Sequence, residues 1–231
     1  MHPNEIANYP EGVARDIDPG QFRSLRHLFE AAFERHGDAP FSVCMERWMR
    51  YSDLERQSRA MAGWLQSMGL EPDARVAIML PNVPQFAVSM AGVLRGGYTC
   101  VNVNPLYTAR ELEHQLNDSG ATVIIILENF AHPLQQVLPR TGIQHVLVTA
   151  MGDELGGLYG AWITAAVRHL AKMVPAYKLA LDRGRTVTPW PSALATGARQ
   201  TLGPDRSTLD SIAFLQYTGG TTGLSKGAVL T

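Results

Sequence analysis

Apolar positions recur at helical spacing early in the chain. Over residues 24–36, Leu25, Leu28, Phe29, Ala32 and Phe33 share one face, and Gly37 stands where a helix would stop. The segment FSVCMERWMRY then reads as two short strands around a turn. Ser52 and Glu55 have the S-x-x-E spacing of a capping box, and Leu54, Met61, Trp64, Leu65 and Met68 carry a helical stripe to Gly69. The pattern predicts helix, hairpin, helix.

From Arg75 the rhythm changes. Short apolar runs (RVAIML, TCVNV, ATVIIIL, HVLVT) alternate with helical segments (PQFAVSMAGVLRGG, ARELEHQLNDSG), and Thr108 with Glu111 forms a second capping box ahead of a stop at Gly120. Apolar strands without period-two alternation, each followed by a helix, require a mostly parallel sheet covered on both faces, so the fold class is α/β. Residues 151–208, dense in Gly, Pro, Ser and Thr, read as a long connection. A strand-like run, SIAFLQY, then leads into a glycine-rich loop.

One segment of that connection has its own period. Trp162, Ile163, Ala166, Val167, Leu170, Met173 and Val174 fall within about 140° of a helical wheel, with Arg168, His169 and Lys172 opposite and Pro175 as the stop. Such a helix docks on a core or lies in a membrane interface. Burying five large apolar side chains gains about 7 to 15 kcal/mol. Ordering about thirteen residues costs a comparable amount, so attachment through this helix alone would be weak and reversible.

Composition narrows the class. With 231 residues, one large domain or two small ones fit, and 20 Lys+Arg against 21 Asp+Glu implies no nucleic-acid partner. Cys44 and Cys100 are far apart, which suggests neither a disulfide framework nor a zinc site. A cytoplasmic protein without a signal peptide or membrane span is expected.

Candidate chemistry concentrates in LQYTGGTTGLSKGAVLT, residues 215–231. A Walker A loop places its lysine directly after a glycine and ahead of a helix, whereas Lys226 precedes Gly227 and a strand-like GAVLT. Gly223 to Gly227 match G-x-S-x-G, yet the acid and histidine of a hydrolase triad would have to follow within six residues. A phosphate-binding loop of another type accounts for more of the residues. Gly219, Gly220 and Gly223 allow backbone N–H groups close to an anion, Thr218, Thr221 and Thr222 donate hydroxyl hydrogen bonds, and Lys226 neutralises charge. The pair Glu111-x-x-His114 has a di-iron spacing, but without a helix bundle it reads as a solvated helix face.

Thr218-Gly219-Gly220-Thr221-Thr222-Gly223-Leu224-Ser225-Lys226-Gly227 resembles the signature loop of the AMP-forming acyl-CoA synthetases, with Ser225 where proline is common. The stretches VNVNPLYTARELEHQLNDSGA and NYPEGVARDIDPGQFRSL extend the resemblance to the bacterial long-chain fatty-acid CoA ligases, most weakly over residues 156–209.

The resemblance implies that residues 1–231 are the N-terminal part of an adenylation domain, with the phosphate loop at 217–227 and the C-terminal domain lying beyond. It implies ATP, Mg²⁺ and CoA as cofactors or co-substrates and a long-chain fatty acid as substrate. Peripheral contact with the cytoplasmic face of the inner membrane and homodimerisation are further partner expectations. Tyr217, Thr218, Gly219, Gly220, Thr221, Thr222, Gly223, Leu224, Ser225 and Lys226 would line the nucleotide, Lys226 and Thr218 would act in catalysis, and Thr218 would meet the metal. On this reading residues 1–231 are inactive alone. The alternative is a stand-alone, non-catalytic module that binds nucleotide, membrane or protein.

Overall fold

The computed structural model describes residues 16, 18, 20–179, 181–218 and 225–231. Helix α1 (Leu25–His36) starts at the Ser24 cap, whose hydroxyl accepts from the His27 amide at 3.1 Å. Strands β1 (Pro40–Cys44) and β2 (Arg47–Arg50) form a separate antiparallel pair. Met45 and Glu46, both at positive φ (45° and 63°), make its tight turn.

Helix α2 (Tyr51–Ser67) begins one residue before the predicted cap. Its first turn is closed instead by the Arg50 amide donating to Asp53 Oδ2 at 3.2 Å, while the Ser52 hydroxyl donates to Asp38 Oδ1 at 3.1 Å. The expected Ser52–Glu55 box is therefore unused, because Glu55 turns toward Arg95.

The main sheet has seven strands in the order β7-β6-β5-β3-β4-β8-β9. Its strands are β3 (Arg75–Met79), β4 (Thr99–Asn102), β5 (Val123–Leu127), β6 (His145–Thr149), β7 (Thr186–Pro189), β8 (Phe214–Thr218) and β9 (Lys226–Leu230). All neighbours pair in parallel except β8 with β9. The connection from β3 to β4 through α3 (Pro84–Arg95) runs one way across the sheet. Those through α4 (Ala109–Ser119) and α5 (Ala131–Val137) run the other way, and right-handed crossovers then place the helices on opposite faces.

Two cores result. Val76, Ile78, Val123 and Ile125 pack with Met61, Trp64, Val88 and Trp190 on one face. Ala77, Met79, Ile124 and Ile126 pack with Leu112, Leu116, Leu134 and Val137 on the other. Every residue of β5 is buried, as its unbroken apolar run predicts. Arg95, only 2% exposed, joins three helices within the first core. Its guanidinium lies 5.0 Å from the Phe33 ring centroid, pairs with Glu30 at 2.9 Å and Glu55 at 3.1 Å, and donates to Ser58 Oγ at 2.8 Å.

The stretch read as a long connection holds considerable structure. It contains α6 (Gly157–Ala165), a π turn (Ala166–Leu170), strand β7 and helix α7 (Trp190–Gly197) packed against α2. The amphipathic segment predicted to run to Val174 breaks earlier, since Lys172 reverses the chain at φ 52°. Leu158, Trp162, Leu170 and Met173 are left exposed in this chain.

Candidate phosphate-loop site

Strand β8 ends at Thr218 and β9 begins at Lys226, and the antiparallel register sets these two residues opposite one another. Parallel pairing of β8 with β4 places Thr218 at the edge where β3, β4, β5 and β6 also end. Ligand sites of open α/β sheets lie along that edge. Gly219, Gly220, Thr221, Thr222, Gly223 and Leu224 of the expected site lie outside the described residues, as do residues 1–15. Thr218 and Lys226 are both exposed, so a hydroxyl and an ammonium flank the loop at its two ends.

The base of the loop is anchored through polar side chains. Asn102 Nδ2 donates to Gln216 Oε1 at 2.9 Å, tying β4 to β8 beyond their ladder. Gln115 Nε2 on α4 donates to the Asn102 carbonyl at 2.8 Å. Tyr217 points down to the same helix, where its hydroxyl donates to Asp118 Oδ2 at 2.6 Å. Burial, and then the Asp118 carboxylate, push the Tyr217 phenol up from its ordinary value, which keeps it a donor. Its ring also explains Gly227: a Cβ there would lie 3.0 Å from Tyr217 Cε2. Ser225 offers its carbonyl to His114 Nε2 at 3.3 Å.

The site residues found in the sequence thus divide by role. Thr218 and Lys226 face out at the loop ends, whereas Tyr217 and Ser225 are held by α4. Sequence reasoning missed Asn102, Gln115, His114 and Asp118 as supports. The spacing of His114 and Asp118, four residues apart on an amphipathic helix, showed that they share a face without showing what that face meets. Glu111 does lie on an exposed face, where the Thr108 hydroxyl and then its amide hold its carboxyl below the usual range. His114 departs from that reading because it is half-buried. Among the described residues, no three His, Cys, Asp or Glu side chains gather to hold a metal ion.

Comparison with known proteins agrees with the fold. Residues 29–231 match the model of the AMP-binding enzyme family. A long-chain-fatty-acid–CoA ligase of Salmonella typhimurium is 46% identical over 227 residues, covering 98% of this chain and 40% of its own. That of Haemophilus influenzae is 42% identical over 226 residues, covering 97% and 39%. A solved long-chain-fatty-acid-CoA ligase from Archaeoglobus fulgidus gives a TM-score of 0.67 at 22% identity, over 97% of this chain and 39% of that one. An anthranilate CoA ligase in complex with anthranoyl-AMP gives 0.69 at 18% identity, over 90% and 34%. At those identities the solved structures attest the fold alone. The chain spans about 40% of the length of the curated relatives it matches. With the family model matching residues 29–231, from within α1 to the last strand of a mostly parallel sheet, the chain belongs to the AMP-binding enzyme family.

Proposed function

We propose that this chain forms the N-terminal, phosphate-holding part of an ATP-dependent long-chain fatty-acid CoA ligase. The observation that carries the reading is the pairing of Thr218 with Lys226 across a loop of matching sequence at the carboxyl edge of the sheet. Relatives 42% and 46% identical, named as long-chain-fatty-acid–CoA ligases, supply the substrate class.

The chemistry suits these residues. A fatty carboxylate, with a pKa near 4 to 5, is ionised at neutral pH and attacks the α-phosphorus of ATP without a general base. As that bond forms, the bond to the β-phosphate breaks and pyrophosphate leaves, giving an acyl adenylate. The thiol sulfur of CoA then gives up its proton and attacks the acyl carbon, the acyl C–O bond to the phosphate breaks, and AMP departs to leave the acyl thioester. The first step needs donors aimed at the departing phosphates, which the loop amides, the Thr218, Thr221 and Thr222 hydroxyls and the Lys226 ammonium would provide. Thr218 would offer its hydroxyl oxygen to Mg²⁺. The ion would neutralise charge on the polyphosphate when bound.

The test is ATP–pyrophosphate exchange that depends on a long-chain fatty acid. Exchange by the full-length protein and none by residues 1–231 alone is the expected result. ATP binding by the full-length protein without exchange would instead favour a non-catalytic nucleotide-binding module.

Peripheral membrane contact is part of the same reading. Leu158, Trp162, Leu170 and Met173 are exposed, and Tyr159 joins α6 to the β1–β2 hairpin by donating to the Met45 carbonyl at 3.4 Å. Trp48 and Val43 on the hairpin are exposed as well, and Arg47 lies 5.3 Å from the Tyr159 ring centroid. Apolar side chains beside Arg47, His169 and Lys172 suit an anionic bilayer surface. Leu170→Glu in the full-length protein should reduce co-sedimentation with anionic liposomes and leave thermal stability unchanged. Full liposome binding with a lower melting temperature would mean that the segment packs within the protein. Among the described residues, no helix is long and apolar enough to cross a membrane.

A further inference from the structure

Helix α4 touches the chain on both sides of the phosphate loop. Tyr217, the residue before Thr218, donates its hydroxyl to Asp118 at 2.6 Å. Ser225, the residue before Lys226, receives the His114 Nε2–H on its carbonyl at 3.3 Å. His114 and Asp118 are four residues apart and therefore lie one above the other on a single helix face. One rigid element thus holds both shoulders of the loop.

The helix is itself firmly placed. Thr108 and Glu111 close its first turn reciprocally, Gly120 ends it in the left-handed conformation at φ 64°, and Leu112 and Leu116 are fully buried. Gln115 fastens its middle to the Asn102 carbonyl of β4. The arm that follows the loop is held much less. All five residues of β9 are exposed. Among the described residues, the His114 contact is the one hydrogen bond joining residues 225–231 to anything besides β8 and its preceding residue Ala213. Without it, the end of the loop that carries Lys226 would be set by an edge hairpin alone.

We propose that His114 and Asp118 are positioning residues for the phosphate site, with α4 fixing the spacing of Tyr217 and Ser225 and, through them, the placement of Thr218 and Lys226 toward the polyphosphate. The inference rests on the reading of residues 218–227 as a polyphosphate site. Its physical basis is that glycine-rich backbone has many accessible conformations, and donors displaced by about 1 Å can lose up to about a hundredfold in rate. Neither side chain needs to touch substrate to have this effect.

The test uses the full-length protein and steady-state pyrophosphate release, with ATP and fatty acid varied separately. His114→Ala and Asp118→Ala should raise the KM for ATP or lower kcat by about tenfold or more and leave the KM for fatty acid unchanged. His114→Gln keeps a donor for the Ser225 carbonyl, and Asp118→Asn keeps an acceptor for the Tyr217 hydroxyl. Both should recover most of the loss, which general destabilisation would not produce. Tyr217→Phe removes a single oxygen atom and should reproduce the Asp118→Ala defect even if the alanine variants fold poorly.

Wild-type ATP kinetics in the alanine and Tyr217→Phe variants would overturn the proposal, and so would conservative variants as impaired as the alanines. Lys226→Ala, measured alongside, separates the two levels. If it abolishes release while the α4 variants are normal, the loop acts without the clamp; if it releases pyrophosphate normally, the loop reading itself fails.

Discussion

Lys226→Ala in the full-length protein is expected to lower fatty-acid-dependent pyrophosphate release about a hundredfold, with most of the loss in kcat. Lys226 is the only charged side chain from Thr218 to Gly227, so no neighbour in the loop can replace it. Negative charge on the leaving pyrophosphate grows as the bond to the α-phosphorus breaks. An aimed cation therefore acts more strongly on the transition state than on bound ATP, and deleting one such group costs on the order of a hundred- to a thousandfold. The side chain is exposed at the start of an edge strand, so the melting temperature should match wild type. Fatty-acid-dependent release within about twofold of wild type would remove the loop from the proposed mechanism.

The second large effect concerns stability. Gly197→Ala is expected to destabilise the protein by about 3 kcal/mol, which lowers the melting temperature by several degrees, the roughly 6 to 12 °C of a domain of about 150 to 250 residues being an upper range for a longer one. A Cβ at Gly197 would lie 1.8 Å from the Ala60 carbonyl oxygen and 2.6 Å from the Trp64 amide nitrogen. In the other direction, a Cβ at Gly63 would lie 2.6 Å from the Gly197 carbonyl oxygen. Helices α2 and α7 thus pack backbone against backbone through two glycines, and one methyl group must drive them apart. The atoms in the way belong to main chain, so no rotamer change relieves the overlap. A melting temperature within about 1 °C of wild type would show that the two helices separate without loss.

Much of the architecture was legible because its causes are local. The run VIIIL of β5 has to be buried on both faces wherever it pairs, and the structure buries all five residues. Thr108 and Glu111 were recognisable as a cap because the reciprocal hydrogen bonds depend only on residues three apart. The same motif misled at Ser52 and Glu55: Asp53 closes that turn, while Arg95 on a different helix engages the Glu55 carboxylate. Strand β7 was hidden because TVTP is short and flanked by Gly, Arg and Pro. It forms an edge strand through its register with β6, from His145↔Thr186 to Val148↔Pro189.

The candidate site divides in the same way. The proposal of phosphate chemistry for Thr218 to Gly227 could be made from sequence, because glycine freedom, hydroxyl donors and a lysine charge are properties of the residues themselves. The role of His114 was not readable, since helical spacing identifies a face and leaves its neighbour open. The sequence by itself determined the α/β class, the positions of most helices and strands, and the residues proposed to meet a polyphosphate. Only the tertiary structure decided the strand order, the edge at which Thr218 and Lys226 lie, and the attachment of both loop shoulders to α4. Caps and periodicity act over a few residues, whereas strand order joins segments from about twenty to over a hundred residues apart and α4 meets the loop shoulders across about a hundred, so their meeting depends on how the whole chain packs.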